Sequence, residues 1–127
     1  MAKILIVDDS DVLRMELREV LEEGGHDVIE GINGLEGYEQ AHAHADIDLI
    51  ITDLNMPAVD GISMCNKIRA ANILLGVPIF MLTTESSMEL KMLGKEAGII
   101  VWIVKPFTSD KVLSAVTKVL NSVSTAA

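Results

Sequence analysis

Short apolar runs recur along the chain, and each stops at polar residues. Ile4-Leu5-Ile6-Val7 ends in Asp8-Asp9, and the form returns at Leu49–Asp53, at Ile79–Thr84 behind Pro78, and at Ile99–Lys105. Runs this branched, without polar alternation, read as strands buried on both faces, which is the habit of parallel sheets. Pro78 sits where a strand start tolerates proline. A weaker run, His26–Glu30, is polar enough for an edge strand.

Helical spacing fills the gaps. Ser10 is placed to cap a helix striped by Leu13, Leu17, Val20 and Leu21, which Gly24-Gly25 stops. Asn33 with Glu36 three residues later resembles a capping box for a helix reaching toward Ala45. Asp60 can cap a helix carrying Met64 and Ile68, and Ser86 or Ser87 one that ends near Gly98. Thr108 or Ser109 opens the last helix, striped by Val112, Leu113, Val116 and Leu120. Asn121–Ala127 reads as a small polar tail that frays. Five strand–helix units in strict alternation predict an α/β fold, a parallel five-stranded sheet with helices on both faces and right-handed crossovers.

Composition narrows the class. The chain has 127 residues, enough for one domain with a real core and no room for a second, output domain. Its 10 Lys+Arg against 19 Asp+Glu, a net charge of -9, leave too few cations for a nucleic-acid face. One cysteine makes neither an internal disulfide nor a zinc pair, so Cys65 reads as a small buried side chain. No apolar stretch is long enough for a membrane span or a signal-peptide core, so a cytoplasmic protein is expected.

The chemistry is expected at the carboxyl ends of the strands, where ligands bind in open α/β sheets. Asp8-Asp9, Asp53, Thr83-Thr84 and Lys105 would converge there. Carboxylates at about 5 Å and an effective dielectric near 20 repel by roughly 3 kcal/mol a pair. Lys105 offsets one charge of three. A hard divalent cation would cancel the other two, and an all-oxygen donor set suits Mg2+. Such a metal beside a lysine and a hydroxyl is equipment for phosphoryl transfer. Asp53, alone at the end of a central strand, is the natural carboxylate nucleophile, with Asp8 and Asp9 better placed to grip metal.

Asp8-Asp9, Thr52-Asp53-Leu54-Asn55-Met56-Pro57, Gly61, Thr83 and Lys105-Pro106-Phe107 closely resemble the receiver domain of two-component response regulators, in order and over about the whole chain. Leu82-Thr83-Thr84-Glu85, Gly94–Gly98 and Trp102–Phe107 resemble the CheY-like, free-standing chemotaxis members. The resemblance implies a flavodoxin-like sheet of order 2-1-3-4-5 and a phosphoryl group passed to Asp53 from a CheA-like histidine kinase. Mg2+ would be held by Asp8, Asp9, Asp53 and the Asn55 carbonyl. Thr83 and Lys105 would contact the phosphoryl group, and Lys105-Pro106 would be cis. Asn55 and Glu85 occupy positions that tune phosphate lifetime in relatives. Thr83 would move inward on phosphorylation and vacate space beneath Trp102, whose ring would turn from exposed to buried, and the face of helix 4, strand 5 and helix 5 would then change shape. The chain would then act as a monomer on a separate target, the flagellar motor switch, with a phosphatase as a further partner. A relay or phosphate-sink receiver is the alternative. Trp102 stands where Tyr or Phe is commoner, and Thr84 where Ala or Gly is commoner.

Rival chemistries fit less well. A haloacid-dehalogenase-type phosphatase needs a second acid two residues after its nucleophile, where this chain has Asn55. A flavodoxin needs a phosphate-cradling loop after the first strand, where Asp8-Asp9-Ser10-Asp11 would repel phosphate. Blander readings accompany the rest. Asp8-Asp9 could simply cap a helix, the three histidines would lie on the surface, and the seven methionines would mostly fill the core. Met88 and Met92, one turn apart, could instead belong to an adaptable docking face.

Overall fold

The structure, a computed structural model, describes residues 1–126, with side chains to residue 122. Strands β1 (Lys3–Val7), β2 (Asp27–Gly31), β3 (Leu49–Thr52), β4 (Ile79–Thr83) and β5 (Ile99–Val104) alternate with helices α1 (Asp11–Glu23), α2 (Gly34–Ala43), α3 (Gly61–Ala70), α4 (Met88–Glu96) and α5 (Ser109–Ala126). All strand pairs are parallel, in the order β2-β1-β3-β4-β5. The polar run indeed forms one edge.

Side chains alternate across a strand, so each apolar run feeds two cores. Leu5, Val7, Ile50, Ile79 and Met81 pack with Met64 and Ile68 of α3. Ile4, Ile6, Leu49, Ile51, Phe80 and Leu82 pack with Leu17 and Leu21 of α1 and with Val112 and Val116 of α5. Each fully buried side chain of this kind contributes about 1.5–3 kcal/mol. Their burial on both faces explains why the central strands carry no polar alternation.

The caps form as read. The side chains of Ser10, Asn33, Asp60 and Ser87 accept from Leu13, Glu36, Ser63 and Leu90 amides, and Thr108 accepts from the Lys111 amide. Glu36 reaches back to the Ile32 amide rather than to that of Asn33. Gly24 caps α1, and Gly25 follows at φ 87, a left-handed turn that glycine makes at no steric cost.

Three expectations need correcting. The tail from Asn121 continues α5 to Ala126, and Ala127 lies outside the described residues. Only Met56, Met64 and Met81 are buried, whereas Met1, Met15, Met88 and Met92 are exposed, the last three on outward faces of α1 and α4. His26 and His44 are half-buried, and the His26 Nδ1 accepts from the Ala2 amide at 3.1 Å.

Cys65 is fully buried, and burial pushes its thiol up to about 12. The thiolate is the reactive form. Iodoacetamide at pH 8 should therefore modify the native chain on the order of 100-fold or more slowly than the urea-unfolded chain, measured by mass spectrometry. Equal rates would contradict the buried position.

Candidate phosphoryl-transfer site

Strand register assembles the site. Val7 pairs with Thr52, so Asp8 and Asp53, each one residue further on, lie side by side. The Asp53 amide donates to the Val7 carbonyl at 2.8 Å. Thr83 pairs with Val104, which brings Lys105 to the same end of the sheet, and the Lys105 amide donates to the Thr83 carbonyl at 2.8 Å. The Lys105 side chain then crosses back from the edge strand. Its Nζ lies 3.0 Å from Asp8 Oδ2 and 3.5 Å from Asp53 Oδ2. The Lys105–Pro106 peptide bond is cis.

Asp8 and Asp53 are buried, and Asp9 is exposed. One carboxylate oxygen of each lies within 4.8 Å of one from both others. Burial, and then the Asp8 charge, push the Asp53 carboxyl above its ordinary value; Lys105, the Leu54 amide and the Thr83 hydroxyl pull the other way. The Leu54 amide donates to Asp53 Oδ1 at 2.8 Å, and the Ser10 amide to Asp8 Oδ1 at 2.8 Å. Asp8 therefore does not cap α1; Ser10 does. Three convergent hard oxygen donors, two of them beside one ammonium, fit a small divalent cation with open positions for water.

Gly61, at the start of α3, is required by contact rather than by backbone angle. A Cβ there would lie 2.1 Å from the Asp53 carbonyl oxygen. The bare Cα lets α3 seat directly against the end of β3, and the Gly61 amide donates to the Leu54 carbonyl at 2.9 Å.

Thr83, fully buried, accepts from the Glu85 amide at 3.3 Å. The Glu85 carbonyl accepts from Trp102 Nε1 at 2.8 Å, and the Glu85 side chain accepts from Asn55 Nδ2 at 3.3 Å. One residue thus joins three positions that the sequence picked out separately. Trp102 is not exposed here, as the sequence reading had it at rest. The ring is half-buried and seated on Gly94, where a Cβ would come 2.8 Å from it.

The family model for the response regulator receiver domain matches residues 4–117. The chain belongs to this family. The receiver is 40% identical over 107 residues to chemotaxis protein CheY1 of Helicobacter pylori, covering 84% of this chain and 86% of the relative. It is 35% identical over 121 residues to a chemotaxis protein CheY homolog of Campylobacter jejuni, covering 94% and 93%. The structure of Vibrio cholerae chemotaxis protein CheY4 matches with a TM-score of 0.87 at 36% identity, over 93% of this chain and 98% of that one.

Two parts of the receiver's site were missed in the sequence. One is Arg14 with Glu30 and Arg18, a polar network behind Asp8. Its signal was available: Arg14 stands three and seven residues before Leu17 and Leu21, so it shares their buried stripe. The other is the backbone of Glu85, its amide and its carbonyl, which no side-chain pattern could reveal. Among the described residues no helix is long and apolar enough to cross a membrane.

Proposed function

We propose that the receiver accepts a phosphoryl group on Asp53 from a histidine kinase and then acts on a separate target, in bacterial chemotaxis. The observation that carries this reading is the meeting of Asp8, Asp9 and Asp53, with Lys105 against Asp8 and Asp53. Asp8, Asp9, Asp53 and the Asn55 carbonyl would hold Mg2+. When bound, the metal supplies charge neutralisation for the transferring oxygens. An Asp53 oxygen attacks phosphorus while the bond from phosphorus to the kinase histidine nitrogen breaks, leaving an acyl phosphate on the chain. Lys105 stabilises the negative charge, and Thr83 donates a hydrogen bond to the new group. The chain catalyses only its own phosphorylation and dephosphorylation.

The signal leaves the site through Glu85. A Thr83 hydroxyl drawn toward the phosphoryl group gives up its bond from the Glu85 amide, and the Glu85 carbonyl holds the Trp102 indole. Trp102 is then retuned through the backbone of Glu85 rather than swung from solvent. Met88, Met92, Ile100 and Val104 expose apolar surface on α4 and β5, the face on which a target such as the flagellar motor switch would dock.

Trp102 is the only tryptophan, so its fluorescence reports this path. Acetyl phosphate should label Asp53 only when Mg2+ is present, and beryllofluoride with Mg2+ should change Trp102 emission. Labelling at another residue would refute the acceptor, and an unchanged emission and β5 amide spectrum would refute the relay. Retention of motor or kinase components, but not DNA-associated proteins, on the beryllofluoride form would support the chemotaxis assignment.

A further inference from the structure

The network behind Asp8 has a geometry that neutralisation alone does not require. Arg14 is 9% exposed on α1. Its Nη1 donates to the Asp8 carbonyl at 2.6 Å, its Nε to Glu30 Oε1 at 3.0 Å, and its Nη2 to Asp11. Arg18 holds the other Glu30 oxygen. Two carboxylates already balance the Arg14 charge, yet one arm of the fork goes to a neutral carbonyl.

That carbonyl belongs to the peptide bond joining Asp8 to Asp9. The peptide unit is planar, so fixing its oxygen fixes the orientation of both flanking Cα atoms. We propose that Arg14 is a positioning residue for the Asp8–Asp9 pair, holding the turn after β1 so that both carboxylates are set for a divalent cation before it arrives. The proposal rests on the metal-site reading given above. The planar guanidinium suits the task, because engaging Glu30 and Asp11 orients the arm that reaches the carbonyl. Repulsion within the carboxylate cluster would otherwise splay the turn.

The sign of the effect separates positioning from simple electrostatics. Removing a cation from beside an acidic site should, through charge alone, tighten Mg2+ binding. Positioning requires the opposite. In calorimetric titration of the whole chain with magnesium chloride, Arg14→Met should raise the Mg2+ Kd roughly tenfold or more, as loss of groups supporting metal ligands commonly does. Arg14→Lys keeps the charge but loses the fork and should also weaken binding, as should Glu30→Gln to a smaller degree. If Arg14→Met does not fold, Arg14→Lys decides the matter, because it holds the charge constant, whereas charge alone would also weaken binding in Glu30→Gln.

Arg69→Met serves as the control. Arg69 donates to the Val77 carbonyl, away from the site, so its loss should leave the Kd unchanged. A metal-free readout is the exchange of the Ser10 amide, which bonds Asp8 Oδ1. It should accelerate in Arg14→Met relative to the Asp48 amide, which bonds the Lys3 carbonyl at the opposite end of β1. Wild-type or tighter Mg2+ binding by the Arg14 variants, with Ser10 exchange unchanged, would overturn the role of Arg14 alone. Failure of the wild-type chain to bind Mg2+ would overturn the metal site and this role together.

Discussion

Asp53→Asn should take up no phosphoryl group from acetyl phosphate with Mg2+, as read by intact mass. The carboxamide keeps the shape of the side chain and removes the nucleophile. The same variant should be more stable than the wild-type chain in metal-free buffer. Asp53 is buried beside Asp8, and both burial and that neighbour disfavour its charge. Deleting the charge should gain about 1 kcal/mol, seen as a melting temperature higher by roughly 3–5 °C. The two results belong together: a charge that destabilises the fold persists because the chemistry needs it. Stoichiometric labelling of Asp53→Asn would show that another residue is the acceptor. A stability loss would show that Lys105 already neutralises the cluster.

Gly61→Ala should be the most damaging single-methyl change near the site. Its Cβ would sit 2.1 Å from the Asp53 carbonyl oxygen, 3.0 Å from the Asp53 carbonyl carbon and 3.2 Å from Leu54 Cα. All three atoms are backbone and cannot rotate away, so α3 or the end of β3 must shift. Overpacking of this kind costs roughly 3 kcal/mol at its upper range. The urea midpoint should fall while the slope of the transition holds. Because Asp53 sits on the displaced backbone, Mg2+ binding should weaken too. A cost within about 0.5 kcal/mol, the level of a neutral surface change, would mean that the helix start yields more readily than its packing suggests.

Much of the architecture is legible because a doubly covered strand has few ways to be written. Ile4–Val7 and Ile79–Leu82 are apolar on both faces because both faces are buried. The site is legible for a related reason: polar residues just past such strands have only the sheet edge to occupy. Met88 and Met92 show where reading stops. Composition marks methionine as core material, but only the placement of α4 shows which of its faces is covered. Arg14 hid behind the opposite habit, that of assigning every charge on an amphipathic helix to solvent. Trp102 was placed by its spacing from Lys105, whereas its pose depends on Gly94 and the Glu85 carbonyl, two partners that offer no side-chain signal.

Position 85 divides its labour between side chain and main chain. Its carboxylate meets Asn55, while its amide and carbonyl bridge Thr83 to Trp102. In the proposed role, evolution can reset the tempo of the signal by exchanging the side chain and leave the conducting thread intact. Proline, which lacks the N–H, is the substitution that would cut it.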